Sequence, residues 1–255
     1  MNNETTEISS DAPNAGLRCM VMVCTYNERD NLPSLVEAIC KNVPQADVLV
    51  VDDNSPDGTG KWAEAERQYN PKLMVITRTG KLGLGSAIRT GLKYGLDQGY
   101  DRIVNLDADF SHDPAMITKL ISATTRPQSP CDVAIGSRYV EGGKITGLSR
   151  LRRWMSRAIN TYARLLLGLN VGDWSSSFRA YNSTHLRLLK WDDLQCNGYG
   201  SLQELLWKLH KTGAVIEELP IHYVNRRHGK SKISSKEAYG ALHTLHRLAV
   251  SRWSG

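Results

Sequence analysis

The sequence has no long apolar run. Nowhere do its 255 residues approach the roughly 18 consecutive apolar positions of a membrane-spanning helix, so the chain is expected to be soluble or peripheral to a membrane. Its five cysteines are odd in number and contain no Cys-x-x-Cys. That excludes a disulfide frame or zinc ribbon and suits reduced, mostly buried thiols in a cytosolic protein. Seven histidines without His-x-x-x-His spacing disfavour a zinc hydrolase. No Gly-x-x-x-x-Gly-Lys-Ser/Thr occurs, which argues against a P-loop nucleotidase. The glycines from Gly80 to Gly85 follow the third apolar run and do not match Gly-x-Gly-x-x-Gly, so dinucleotide binding is weakly supported. There is no internal repeat. Acid is also missing locally: between Glu141 and Asp173 stand Lys144, Arg150, Arg152, Arg153, Arg157 and Arg164 and no carboxylate. From Arg226 onward seven basic residues face one acid, Glu237, and the net charge is +6. Such basic faces suit phosphates or anionic membrane; without an RNA- or DNA-binding motif, nucleic acid is not the expected partner.

What is present is an alternation of short apolar runs and amphipathic stretches. The runs are Cys19–Cys24, Val48–Val51, Leu73–Thr77, Ile103–Leu106 and Val133–Gly136. Between them, Asn31 can cap a helix through Leu35, Val36 and Ile39, and Leu84, Ile88, Leu92 and Leu96 repeat at helical spacing. Continuous apolar strands alternating with helices predict an α/β fold with a mainly parallel sheet covered on both faces. Ligands of such sheets bind outside the carboxyl ends of the strands, which puts Glu28, Asp52, Asp107 and Arg138 along one crevice. After Tyr139 the pattern loosens. Ser175–Arg179 reads as a polar turn, Leu202–His210 and Lys236–Trp253 as helices, and 215–224 as strand-like. The helix predicted over 150–169 interleaves arginines with Trp154, Leu165 and Leu166, as a helix lying on a membrane surface would; a core helix with arginines at its rim is the alternative. The polar start, residues 1–16, reads as a disordered tail.

The most informative stretch is Asn105-Leu-Asp-Ala-Asp-Phe-Ser-His112. An apolar strand ends at two aspartates spaced i, i+2. Two carboxylates at a buried strand end are costly to desolvate without a cation beside them. Mg²⁺ suits that role, since it takes one or two carboxylates together with waters and substrate phosphates.

Together with this stretch, Thr25-Tyr-Asn-Glu28, Val50-Val-Asp-Asp-Asn-Ser-Pro-Asp-Gly-Thr59, Gly83-Leu-Gly85, Gly136-Ser-Arg138, Ser177-Phe-Arg179 and Arg226-Arg-His-Gly-Lys-Ser-Lys232 resemble the family 2 glycosyltransferases, and among them the dolichol-phosphate (polyprenyl-phosphate) mannose synthases. The resemblance implies an A-type glycosyltransferase fold with a mainly parallel, mixed central sheet. Residues 17–233 would form the catalytic domain and 234–255 a basic amphipathic helix. It implies an inverting enzyme that moves mannose from GDP-mannose to a polyprenyl phosphate with Mg²⁺ or Mn²⁺. The enzyme would be peripheral on the cytosolic membrane face, docked directly or through an anchoring partner.

Asp107 and Asp109 would hold the metal, and Asp52 would accept hydrogen bonds from the base. Thr25, Tyr26, Glu28, Gly83 and Gly85 would line the nucleotide pocket. Arg138, Arg179 and Arg226 would grip phosphates, assisted by Ser177 and Lys232. An ionised lipid phosphate needs no strong general base; Glu204 is the one possible base for a sugar hydroxyl acceptor. Departures from the family pattern lie at Gly200-Ser-Leu-Gln-Glu204, at Asn225 and at Ser111, where some members carry Gln. A UDP-sugar donor, or a nucleotide-sugar-binding module without turnover, are the alternatives that these departures leave.

Overall fold

Strand β1 (Cys19–Thr25) is apolar along nearly its whole length because both of its faces are covered, the pattern of a central parallel strand. The computed structural model in which this is seen describes residues 16–198, 200–225 and 235–253, with backbone alone for 235–239 and 252–253. Residues 1–15 of the polar tail, and Arg226 and Lys232, lie outside the described residues.

The first half repeats one unit. β1 leads to α1 (Leu32–Asn42), β2 (Asp47–Asp52) to α2 (Thr59–Glu66), β3 (Leu73–Thr77) to α3 (Leu84–Asp97), and β4 (Arg102–Asp107) through a 3₁₀ turn to α4 (Ile117–Thr125). β5 (Val133–Ser137) and the short β6 (Lys144–Thr146) follow, then α5 (Arg150–Leu167), β7 (Arg179–Asn182), α6 (Ser183–Arg187), α7 (Ser201–Lys211), β8 (Ile216–Pro220), β9 (His222–Val224) and α8 (Ser235–Trp253). The seven-stranded sheet runs β3-β2-β1-β4-β7-β5-β8, parallel except for β7, which is antiparallel to β4 and β5. β6 and β9 form a separate parallel pair.

Side chains alternate across the sheet. Met20, Met22, Leu49, Val51 and Ile103 face a core completed by α3, α5, α7 and α8. Val21, Val23, Val48, Val50 and Val104 face the core under α1 and α4, with Ala63 of α2.

One element departs from the sequence reading. The polar turn expected at Ser175–Arg179 continues into β7, a strand of Arg, Ala, Tyr and Asn that carries no apolar run. It forms because β4 and β5 supply ladder partners on both sides, Asn105 opposite Arg179 and Ile135 opposite Arg179. Tertiary pairing here overrides a weak local preference. The strand-like 215–224 segment divides at Ile221 between the two sheets.

Candidate active site at the strand ends

The carboxyl ends of β2, β1 and β4 are in register, with Cys24 opposite both Val51 and Asp107 and Thr25 opposite Asp52. Over these ends opens a cleft lined by Cys24, Thr25, Tyr26 and Glu28 from β1 and its loop, Asp53, and Lys81, Gly83 and Leu84 ahead of and into α3. Its other wall is Asp107, Ala108, Asp109, Ser175, Ser177 and Leu202. Thus Thr25, Tyr26, Glu28, Gly83, Asp107, Asp109 and Ser177, seven of the expected residues, meet in one place.

Among the described residues four carboxylates (Glu28, Asp53, Asp107, Asp109) and one cation (Lys81) face this space. Arg78, buried beneath it, pairs with Asp53 at 2.6 Å. Burial pushes the Asp53 carboxyl up and the Arg78 charge pulls it back, leaving a net rise. Lys81 lies over the Tyr26 ring, its Nζ 4.5 Å from the centroid. An anionic ligand entering so acidic a cleft needs a cation to accompany it.

The diaspartate suits such a cation. Asp107 accepts a hydrogen bond from Ser177 Oγ at 2.7 Å through Oδ1, and Asp109 Oδ1 accepts the Ser111 amide at 3.1 Å. The buried Ser111 Oγ has no hydrogen-bond partner among the described residues, an orphan donor–acceptor that a metal or its water would satisfy. Among the described residues no group of three His, Cys, Asp or Glu side chains is placed to enclose a metal. Two carboxylates at the wall of an open cleft, with a buried hydroxyl behind them, fit Mg²⁺ or Mn²⁺, which keep positions for water and phosphate, rather than a closed zinc site. Behind the pair, His112 stacks on Phe178 with centroids 5.0 Å apart, and burial lowers its pKa despite Asp107 and Asp109 nearby.

Other expectations are corrected. Asp52 does not face the cleft. Its side chain shares the parity of Val48 and Val50 and turns to the α2 side, where it accepts Thr25 Oγ1 at 2.8 Å, Ser55 N at 2.8 Å and Ser55 Oγ at 2.6 Å. A Cβ on Gly60 would lie 2.6 Å from its Oδ2, so α2 closes over it. Asp53, with the parity of Val51, takes the cleft position instead; strand alternation was the available signal.

Arg138 is not a free phosphate grip. Its Nε and Nη2 each donate to Asp173 at 2.7 Å, Nη2 also donates to Ser175 Oγ, and its guanidinium lies between the Tyr139 and Tyr223 rings. Burial alone would push the Asp173 carboxyl up, but the Arg138 charge and hydrogen bonds outweigh it and hold the group below the usual carboxylate range. Arg179 is fully buried, does not line the cleft, and donates to the carbonyls of Leu202 at 2.8 Å and Trp174 at 2.9 Å. Ser177 spends its hydroxyl on Asp107 rather than on a phosphate.

Gly85 is absent from the cleft wall, because its role is contact. Its amide donates to Asn197 O at 2.9 Å, and a side chain there would overlap Ser201. Gly83, at φ +95°, would put a Cβ 2.5 Å from Asn197 O. Asn31 does not cap α1 by its side chain, which donates to Glu28 Oε2 at 2.8 Å. Glu204 is buried, accepts Cys196 N at 2.8 Å and pairs with Arg247 of α8, so its carboxylate ties α7 to α8 and the 194–200 loop. Lys81, Asp53 and Ser175 are cleft residues that the sequence reading did not single out.

Comparison with known proteins shows the family and the fold. The family model described as glycosyl transferase family 2 matches residues 20–189. An undecaprenyl-phosphate mannosyltransferase of Micrococcus luteus is 38% identical over 240 residues, covering 94% of this chain and 97% of that protein. A polyprenol monophosphomannose synthase of Mycolicibacterium smegmatis is 38% identical over 237 residues, 92% of this chain and 86% of that protein. Among solved structures, glucosyl-3-phosphoglycerate synthase of Mycobacterium tuberculosis with Mn²⁺ and UDP-glucose superposes with a TM-score of 0.69 at 20% identity, covering 94% of this chain and 81% of that one.

Proposed function

Because the chain belongs to glycosyl transferase family 2 and has its A-type fold, we propose that it transfers mannose from GDP-mannose to a polyprenyl phosphate at the cytosolic face of a membrane, with Mg²⁺ or Mn²⁺ held by Asp107 and Asp109. The observation that carries this reading is near end-to-end similarity to two proteins named for polyprenyl-phosphate mannose transfer. The acidic cleft with its diaspartate supports it.

In this reading Tyr26, Glu28 and Asp53 bind the nucleoside, and the divalent cation supplies charge neutralisation to the departing diphosphate. Ser177 fixes the rotamer of Asp107, and the Ser111 amide does the same for Asp109. Lys81 stands at the cleft wall where it can meet donor phosphate. Of the three arginines expected to bind phosphate, Arg226, with Lys232, keeps that proposed role. Arg138 contributes through Ser175, which it holds against the cleft.

The acceptor phosphate is ionised near neutral pH, so attack of its oxygen on the anomeric carbon needs no protein base. The oxygen–carbon bond forms as the sugar–diphosphate bond breaks, and the configuration inverts. The engagement of Glu204 by Cys196 and Arg247 supports a nucleophile that arrives already deprotonated. Rate then comes from position and charge.

Membrane attachment is assigned to α5. No helix among the described residues is long and apolar enough to cross a membrane, yet Leu151, Trp154 and Leu165 of α5 are 66%, 70% and 71% exposed. They recur at i, i+3 and i+14, on one stripe of the helix, and arginines flank them. The test supplies protein, Mn²⁺ and a short polyprenyl phosphate with GDP-mannose, UDP-glucose or UDP-GlcNAc separately. Mannolipid from GDP-mannose alone is expected. Product from a UDP-sugar alone overturns the donor, and none from any donor overturns the enzyme reading.

A further inference from the structure

A second cavity, of about 230 Å³, lies between α5 and the strand-end segments at Tyr139 and Gly172, separate from the acidic cleft. It has room for several water molecules. Its α5 wall is Arg157, Asn160, Thr161 and Arg164, spaced i, i+3, i+4 and i+7, so all four share one face of the helix. Among the described residues no acidic side chain lines it. Glu218 lies behind Gly172, but its two oxygens are taken by the amides of Gly172 at 2.6 Å and Asp173 at 2.8 Å. Among the described residues neither Arg157 nor Arg164 has a carboxylate within salt-bridge distance, whereas Arg138, Arg78 and Arg247 each have one. The Arg157 guanidinium rests against the Tyr139 ring, 5.7 Å from its centroid, which holds it at the rim of the cavity while the residue stays solvent-exposed.

Position decides between possible anions. The exposed stripe of Leu151, Trp154 and Leu165 adjoins this arginine face on the same helix. If the stripe enters the acyl boundary of a bilayer, Arg157 and Arg164 stand at headgroup level. Resting on the membrane-docked reading above, we infer that this cavity is a binding site for the phosphodiester headgroup of an anionic membrane phospholipid, distinct from the lipid substrate. A guanidinium pair offers forked donors to phosphate oxygens, and Asn160 and Thr161 stand between them. The site also touches the acidic cleft: Asn160 Oδ1 accepts the Ser175 amide and its Nδ2 donates to Ser175 Oγ, both at 3.2 Å, and Ser175 lines that cleft.

Flotation of the full chain with phosphatidylcholine vesicles, with and without phosphatidylglycerol, tests this. Preference for the anionic vesicles is expected, and Arg157→Gln with Arg164→Gln should weaken it by more than the roughly 30-fold that diffuse attraction alone gives two arginines at an anionic surface. Arg150→Gln with Arg153→Gln removes the same charge outside the cavity and should cost clearly less. Thr161→Trp, which keeps every charge but fills the space, should cost more than that control. Equal losses from the two charge pairs, or an unchanged Thr161→Trp protein, would reduce the site to diffuse attraction and overturn it. Inorganic phosphate and glycerophosphoglycerol serve as soluble competitors. Arginine-dependent binding of phosphate without a position-dependent loss on vesicles would reassign the cavity to a free anion. Vesicle binding requires no donor and no turnover, so cavity-dependent flotation without mannolipid sinks only the enzymatic reading. Turnover without cavity dependence sinks only this one.

Discussion

The two walls of the cleft treat their charges differently. On the β1–β4 wall the predicted carboxylates Glu28, Asp107 and Asp109 line the space, and the buried Arg78 balances only Asp53. On the wall built after β5 the predicted cations do not line the space: Arg138 is clasped by Asp173, and Arg179 is sealed among carbonyls. The acidic wall presents its carboxylates to the ligand space. Among the described residues the basic wall has spent its charge on architecture. A buried ion pair fixes shape at little net gain in stability. The second wall is therefore a frame that positions Ser175 and Ser177, and the first is where ligand charge is met.

The sharpest way to break that division is Asp109→Ala. If Asp109 holds the metal, the variant loses several kcal/mol of transition-state stabilisation, about 10³-fold or more in kcat. Its urea unfolding midpoint should change less than its activity, since the side chain's bond to the Ser111 amide is local to the strand-end turn. Initial rates against Mn²⁺ concentration make the check; full activity in the variant would move the metal role elsewhere.

Next comes the frame. Arg138→Ala strands a buried carboxylate and should cost about 3–5 kcal/mol of stability, whereas Arg138→Met with Asp173→Leu should recover most of it. A stable double variant with wild-type turnover supports a framing role; a stable but inactive one would return Arg138 to phosphate binding. The pH dependence has opposite signs in the two proteins. In the wild type the depressed Asp173 contributes stability above the unfolded carboxylate pKa, and loses it only as pH falls through the lower folded value. In Arg138→Ala the guanidinium charge and its bonds are gone, the residue-138 amide and the Ser175 hydroxyl remain, and burial, the largest influence, raises Asp173. The penalty then present at neutral pH is relieved as pH falls through that raised value. Denaturation midpoints across the acid range separate the two.

How far the sequence was legible follows the same division. The alternating apolar runs and the motifs at their ends placed five strands, their helices and the crevice, because period-2 and period-3.6 patterns and strand-end chemistry are local. The fate of Arg138 was not local. Its partner Asp173 lies 35 residues on, and nothing in Gly136-Ser-Arg138 announces it. Arg179 was misassigned for a related reason: β7 has no apolar pattern, so the core position of its first residue appears only once β4 and β5 are paired around it. Asp52 is the instructive case, since the alternation of Val48 to Val51 already says which of two adjacent aspartates shares a face with Asp107.

That pair offers the finest test, a comparison within a dipeptide. Asp53 faces the cleft, with Oδ1 toward Arg78 and Oδ2 toward the Leu82 amide at 3.1 Å. Asp52, one residue earlier, is closed over by α2 and holds the loop through Ser55 and Thr25. A carboxylate facing a nucleoside accepts hydrogen bonds worth about 1.5–3 kcal/mol each. Asp53→Asn should therefore raise the donor KM about 10- to 100-fold with a smaller change in kcat, and it also costs stability because the buried Arg78 loses its partner. Asp52→Asn should leave the donor KM near wild type and lower stability by about 1–3 kcal/mol, the cost of disturbing a buried, satisfied acceptor. Donor titrations and urea melts on both variants decide it. Exchange of the two phenotypes would mean that the base is read from the α2 side of the sheet, and that the acidic wall, like the basic one, is mostly frame.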